Sequence, residues 1–194
     1  MKTLDMPKIR KQLAKALDHK RYEHTQGVAY TSAALAMRYG EDFKKAELAG
    51  LLHDCAKCLD NEKKINICKK NDINISQAEN RNPFLLHAKV GGHLARTKYK
   101  IDDEDIINAI LYHTTGRPGM SLLEKIVYIA DYIEPGRDHS SNLNEIRNLC
   151  FQDIDEALLQ ILEDTLKHLK ESKKEIDPMT QRTYEYYKRK QSEE

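Results

Sequence analysis

Apolar positions recur at intervals of three and four along nearly the whole chain, and good helix formers fill the gaps. Period-two runs of β-branched residues are missing, so the pattern predicts an all-α domain. A first helix starts near Asp5 and Pro7 and carries Ile9, Leu13, Ala16 and Leu17 on one face. A second runs from about Lys20 to Tyr39 and ends on Gly40. A third begins near Glu41 and places Ala46, Gly50, His53 and Lys57 on one side. A short lysine-rich helix follows over about Asn61 to Asn71, then a polar loop through Arg81, and Pro83 opens a helix spanning Phe84 to Tyr99. The acidic cluster Asp102, Asp103, Glu104, Asp105 marks the positive end of the next helix, which should finish near Gly116. Ser121 and Glu124 match a capping box for a helix reaching Ile133, stopped by Pro135 and Gly136. The longest periodic stretch, Asn144 to Lys170, aligns Ile146, Leu149, Ile154, Leu158, Ile161, Leu162 and Leu166 and predicts one continuous helix backing the core. Beyond Asp177 and Pro178 the tail is expected to fray, with Tyr184, Tyr186 and Tyr187 available to pack back.

Composition narrows the classes. A chain of 194 residues suggests a single domain, about 150 residues being a soft unit. The 32 basic and 31 acidic residues leave a formal net charge of +1, which provides no global field for a nucleic acid or an anionic membrane. Neither a signal-peptide core among Met1, Lys2, Thr3 and Leu4 and the residues after them nor an 18-residue uncharged apolar stretch is present, so a cytoplasmic location is expected. The four cysteines, Cys55, Cys58, Cys68 and Cys150, then read as reduced thiols. Cys55 and Cys58 are expected to be small buried members of one helical stripe.

The eight histidines carry the chemistry, because several fall on apolar helix faces where an unpaired imidazole is costly. His24 points along the packed side of its helix, and His53 is followed at once by Asp54. His87 shares a face with Gly91 and Leu94, His113 with Ile106 and Ile110, and Asp131 with Val127. A single such residue is ordinarily a core histidine bonded to a carbonyl, but five helical segments each contributing one point to a metal cluster inside a bundle. Imidazole and carboxylate suit zinc, iron or manganese. His19, His93, His139 and His168 receive no role.

The ordered set His24, His53-Asp54, His87, His113 and Asp131 resembles the HD-domain phosphohydrolases, in their binuclear branch. The flanking stretches of residues 21–28, 50–57, 113–116 and 130–137 resemble the YqeK family within it. The resemblance implies an all-α HD-domain helical bundle with a binuclear metal site in its interior, one domain over 1–194 with a motif-bearing core of about 18–172, and a tail over 173–194 that closes over the site. It implies two metal ions, iron by family, with manganese, zinc or nickel also compatible with these ligands. By motif, His24, His53, Asp54 and Asp131 hold one ion, and His87 and His113 hold the other with Asp54 as the bridge. The implied reaction is symmetrical hydrolysis of diadenosine tetraphosphate to two ADP, clearing an alarm nucleotide during stress, in a homodimer without nucleic-acid or membrane partners.

Two ions roughly 3.5–4 Å apart can share a water and lower its pKa from about 15.7 toward neutrality, so no side-chain nucleophile is required. Asp54 and Lys57 are the catalytic candidates. Arg21, His87, Thr114, Arg137 and Thr180 are the substrate-binding candidates, Arg137 because a rigid turn can aim its guanidinium fork at a phosphate. Two other readings share these residues: a hydrolase acting on a deoxynucleotide or cyclic nucleotide, and a nucleotide sensor with little turnover.

Overall fold

The structure, a computed structural model, describes residues 5–138, 140–173 and 175–193. The readings on residues 1–4 and on His139 lie outside them. Among the described residues there are eleven α-helices and no strand, so the all-α expectation holds. They are α1 (Met6–Ala16), α2 (His19–Tyr39), α3 (Phe43–Leu52), α4 (Asn61–Lys70), α5 (Gln77–Arg81), α6 (His87–Thr97), α7 (Glu104–Tyr112), α8 (Leu122–Ile133), α9 (Leu143–Leu149), α10 (Ile154–Glu171) and α11 (Pro178–Glu193). A 3-10 turn, Pro83–Leu86, precedes α6.

Local chemistry sets most of these ends. Asp5, Asp18, Asp42 and Asp60 each accept a backbone N–H from the first turn of α1 to α4, and Gly40 closes α2 in the left-handed region at φ 75°. Ser121 and Glu124 form the expected reciprocal capping box of α8.

Several expectations change; the helix expected over Phe84 to Tyr99, for one, is the 3-10 turn Pro83–Leu86 followed by α6. The segment from Asn144 to Lys170 is two helices, because Asp153 takes an extended conformation and accepts the amides of Asp155 and Glu156 at 2.9 and 3.0 Å, which caps α10 and ends continuity with α9. Its apolar stripe survives the break, since Ile146, Ile154, Leu158, Ile161 and Leu162 all stay buried. The polar loop before Arg81 contains α5, a single-turn helix with its own capping box between Ser76 and Glu79 that a polar composition conceals. Finally, α3 stops at Leu52, so His53 to Cys58 form a tight turn held by bonds from Cys55 N to Leu52 O and from Lys57 N to Asp54 O. This turn separates the two thiols: Cys55 is buried, whereas Cys58 is exposed and donates to Asp18.

The helices pack around a main core that runs from Ile9 in α1 to Tyr187 in α11, with a smaller cluster of Ala56, Cys68, Leu86 and Val90 beside it. The closest pairing is α2 with α3, with α8 against α2 and α7. Gly50 makes that pairing possible, because a Cβ there would lie 2.7 Å from Ser32 Oγ and 3.0 Å from Ala29 Cα. Gly50→Ala therefore overpacks the α2–α3 contact, and we expect a loss of about 1–3 kcal/mol in urea denaturation. Wild-type stability in that variant would show that the two helices separate freely. The tail is ordered: α11 packs on α10, the Tyr187 hydroxyl accepts from Met120 N at 2.9 Å, and Thr183 lies against Gly116.

Candidate metal centre

Five separate parts of the chain deliver the histidine and aspartate set to one interior point. Arg21 projects from the first turn of α2 and His24 from the second; His53, Asp54 and Lys57 come from the turn after α3; His87 opens α6; His113 follows the last residue of α7; Asp131 sits in the last turn of α8. His53, Asp54, His87 and His113 are all buried, and Asp131 is partly open.

Asp54 organises the cluster by dividing its two oxygens. Oδ2 lies 3.5 Å from His53 Nε2 and 4.0 Å from His24 Nε2. Asp131 Oδ1 closes that side at 3.0 Å from His24 Nε2 and 3.8 Å from His53 Nε2. On the other side Asp54 Oδ1 lies 3.3 Å from His87 Nε2 and 3.5 Å from His113 Nε2, which are themselves 3.2 Å apart. One carboxylate thus faces two separate groups of nitrogen donors.

The other ring nitrogen of each histidine is already committed. Nδ1 of His53, His87 and His113 donates to the carbonyls of Gly50, Phe84 and Ile110 at 2.6 to 2.7 Å, and Nδ1 of His24 donates to Glu134 Oε1 at 3.0 Å. Those acceptors assign the Nδ1–H tautomer and turn four Nε2 lone pairs inward. His24 Nε2, His53 Nε2 and Asp54 Oδ1 are buried with no hydrogen-bond partner among the described residues. Lone pairs facing carboxylate oxygens repel unless a cation stands between them, so the donor set fits divalent metal ions of the type that accept nitrogen and oxygen ligands.

Charge around the cluster follows the same logic. Burial opposes ionisation of Asp54, but the polar groups gathered around it outweigh that cost and hold the carboxyl well below the usual range. Burial likewise opposes ionisation of Asp131, and its polar and cationic neighbours, Arg137 among them, overcome it. Burial, reinforced by the Lys57 ammonium, keeps His87 well below its ordinary value, which leaves it neutral and able to ligate.

Three cations reach the carboxylates. Arg21 Nη1 donates to Asp54 Oδ2 at 2.8 Å. Lys57 Nζ lies 3.5 Å from Asp54 Oδ1 and 3.0 Å from His87 Nε2, and burial lowers its pKa. Arg137 donates from Nη2 to Asp131 Oδ1 at 2.6 Å and from Nε to Asp131 O at 2.9 Å. Thr114 Oγ1 stands 3.1 Å from His113 Nε2 and 3.3 Å from His87 Nε2, at the mouth of the second group.

Two cavities open beside the cluster and share Arg137. One of about 200 Å³ is lined by His113, Thr114, Asp131 and Tyr132; the other, of about 500 Å³, is lined by Lys20, Arg21, His24, Glu134 and Gly136. The structure therefore brings together Arg21, His24, His53, Asp54, Lys57, His87, His113, Thr114, Asp131 and Arg137. Thr180 stands apart: it is buried at the start of α11 and lines neither cavity. The residue that sequence reasoning passed over is Glu134, whose signal was a carboxylate directly after an apolar helix.

Comparison with known proteins agrees with this arrangement. Residues 21–136 match the family model described as HD domain. The chain is 42% identical over 170 residues to the symmetrical bis(5'-nucleosyl)-tetraphosphatase of Bacillus subtilis (strain 168), covering 88% of this chain and 90% of that protein. It is 43% identical over 172 residues to the protein of the same name from Halalkalibacterium halodurans, covering 87% and 89%. A crystal structure described as that of a predicted HD superfamily hydrolase involved in NAD metabolism, from Clostridium acetobutylicum, superposes with a TM-score of 0.91 at 44% identity, covering 95% of this chain and 97% of that one.

Proposed function

The chain belongs to the HD domain family, and from that premise we propose that it hydrolyses dinucleoside tetraphosphates symmetrically, converting diadenosine tetraphosphate to two ADP. The observation that carries the reading is the division of Asp54 between two inward-facing histidine pairs, an arrangement suited to two cations bridged by one carboxylate. His24, His53, Asp54 and Asp131 would hold one ion, and Asp54, His87 and His113 the other. Iron is the metal we assign, and manganese, zinc and nickel also suit this donor set. Two such ions, when bound, supply an activated water at neutral pH and offset the charge of the phosphate chain.

The chain's own residues do the binding and aiming. Arg137 and Arg21 border the larger cavity and present guanidinium forks that match phosphate oxygens. Lys57 places a positive charge against the His87 side, where it can take up charge spread over the transferring phosphoryl group. Thr114 and His87 complete the contacts around the reacting phosphorus, and no serine, cysteine or threonine nucleophile is needed. In this reading residues 18–172 carry the motifs and 173–194 flank the nucleotide, a placement supported by Thr183 against Gly116, two residues beyond Thr114. Thr180 would join the contacts by movement of the first turn of α11.

The proposal extends to a cytoplasmic homodimer with no nucleic-acid or membrane partner. It is supported by Tyr30 and Met37, exposed two turns apart on α2, and by the net charge of +1. Among the described residues no helix is long and apolar enough to cross a membrane.

Product analysis tests the activity. Purified, metal-loaded protein is incubated with diadenosine tetraphosphate and the products are resolved by anion exchange, with His53→Ala as the blank. We expect two ADP per substrate. AMP with ATP would reject the cleavage position, and bound nucleotide without turnover would reject the hydrolase reading in favour of a sensor.

A further inference from the structure

A buried carboxylate outside the ligand set connects the metal cluster to the turn that bears Arg137. Glu134 directly follows α8, is 3% exposed, and spends its two oxygens on two different partners. Oε1 accepts from His24 Nδ1 at 3.0 Å, and Oε2 accepts from Gly136 N at 2.7 Å. Two glycines clear the space it occupies. A Cβ at Gly27, one turn after His24 on α2, would collide with Glu134 Oε2, and a Cβ at Gly136 would lie 3.1 Å from both oxygens.

The backbone of this turn has its own support. Glu134 N donates to Ala130 O at 3.0 Å, and the Arg147 guanidinium donates to the carbonyls of Ile133, Glu134 and Arg137 at 2.9, 3.0 and 2.9 Å. The Glu134 side chain is thus free to act on His24 and on the amide of Gly136.

We propose that Glu134 is a positioning residue: its carboxylate holds His24 in the tautomer that offers Nε2 to a cation and, through its other oxygen, fixes the turn that aims Arg137. Cation binding at His24 and nucleotide binding at Arg137 are thereby coupled. A carboxylate is required because both partners are donors. An amide of the same shape accepts from only one of them. If it accepts from His24 it sets its NH2 against Gly136 N–H; if it accepts from Gly136 its NH2 faces His24 Nδ1 and drives the ring proton onto Nε2, where it blocks the metal.

The inference rests on reading His24 as a metal ligand, so its test measures binding rather than turnover. Mn²⁺ and ADP are titrated calorimetrically into the full chain, wild type and the Glu134→Gln and Gly27→Ala variants, with Tm recorded for each. We expect Glu134→Gln to weaken Mn²⁺ binding about 10–100-fold and to reduce the gain in ADP affinity that Mn²⁺ confers. Gly27→Ala keeps the carboxylate but displaces it, because the new Cβ collides with Oε2 and crowds the carboxyl carbon, so both bonds of Glu134 shift and Mn²⁺ affinity falls in the same direction. Unchanged Mn²⁺ affinity in folded Glu134→Gln overturns the inference while leaving the proposed activity standing. Should that variant fail to fold, unchanged affinity in Gly27→Ala overturns it instead. Absence of Mn²⁺ binding by the wild type would remove the metal-centre reading itself, and this inference with it.

Discussion

Asp54→Ala is expected to remove bound metal and hydrolysis together, because no other carboxylate among the described residues faces both histidine pairs. Oδ2 serves the His24 and His53 side and Oδ1 the His87 and His113 side, so deletion takes a ligand from both positions at once. It also strips Arg21 of its 2.8 Å partner beneath the larger cavity. The loss in kcat/KM should exceed the roughly 10²–10³-fold that removal of one oxyanion donor produces, since the centre itself is dismantled. Metal content by mass spectrometry and turnover of diadenosine tetraphosphate are measured on the same sample. Full activity with metal retained would end the bridging-carboxylate assignment. Asp54→Asn sharpens the result: it preserves volume and one acceptor oxygen but loses the charge, so metal lost in both variants points to charge and bridging rather than to packing.

Arg137→Lys should separate nucleotide binding from metal binding. The guanidinium spans the carbonyl and the carboxylate of Asp131 at once, using Nε and Nη2. A lysine keeps the positive charge but offers a single ammonium that cannot hold Asp131 and reach a phosphate oxygen together, as the several N–H groups of the guanidinium can. Loss of one charged hydrogen bond costs about 1.5–3 kcal/mol, which corresponds to roughly a 10–100-fold weaker ADP complex. Asp131 keeps His24 and His53 as neighbours, so metal content is expected to persist. Metal loss in Arg137→Lys would instead make Arg137 a support for Asp131 and remove it from the nucleotide contacts.

Much of the fold is legible because caps and periodicity are local. Asp18, Gly40, Ser121 and Glu124 act within four residues of the helix ends they set, so their effect can be read from spacing alone. The break before Asp153 is hidden, because the apolar stripe on either side stays buried, and a short turn after Leu149 together with the aspartate's bonds to two amides interrupts the helix. The turn from His53 to Cys58 is concealed for a related reason: its helix-like spacing hides a stop at Leu52 that points Lys57 at Asp54 and turns Cys58 out to Asp18.

Residue types, the all-helical class and the ordered histidine and aspartate set can be read from the chain alone, since side-chain chemistry and helix period are local properties. Tertiary structure alone decided how the set is used. Which oxygen of Asp54 meets which histidine, and which nitrogen of each ring remains open, depend on contacts between residues far apart in the chain. Arg21 reaches Asp54 across 33 positions, and Glu134 reaches His24 across 110. Helix packing sets those distances, and a ligand's lone pair has a direction only once the donor on the other side of its ring is in place.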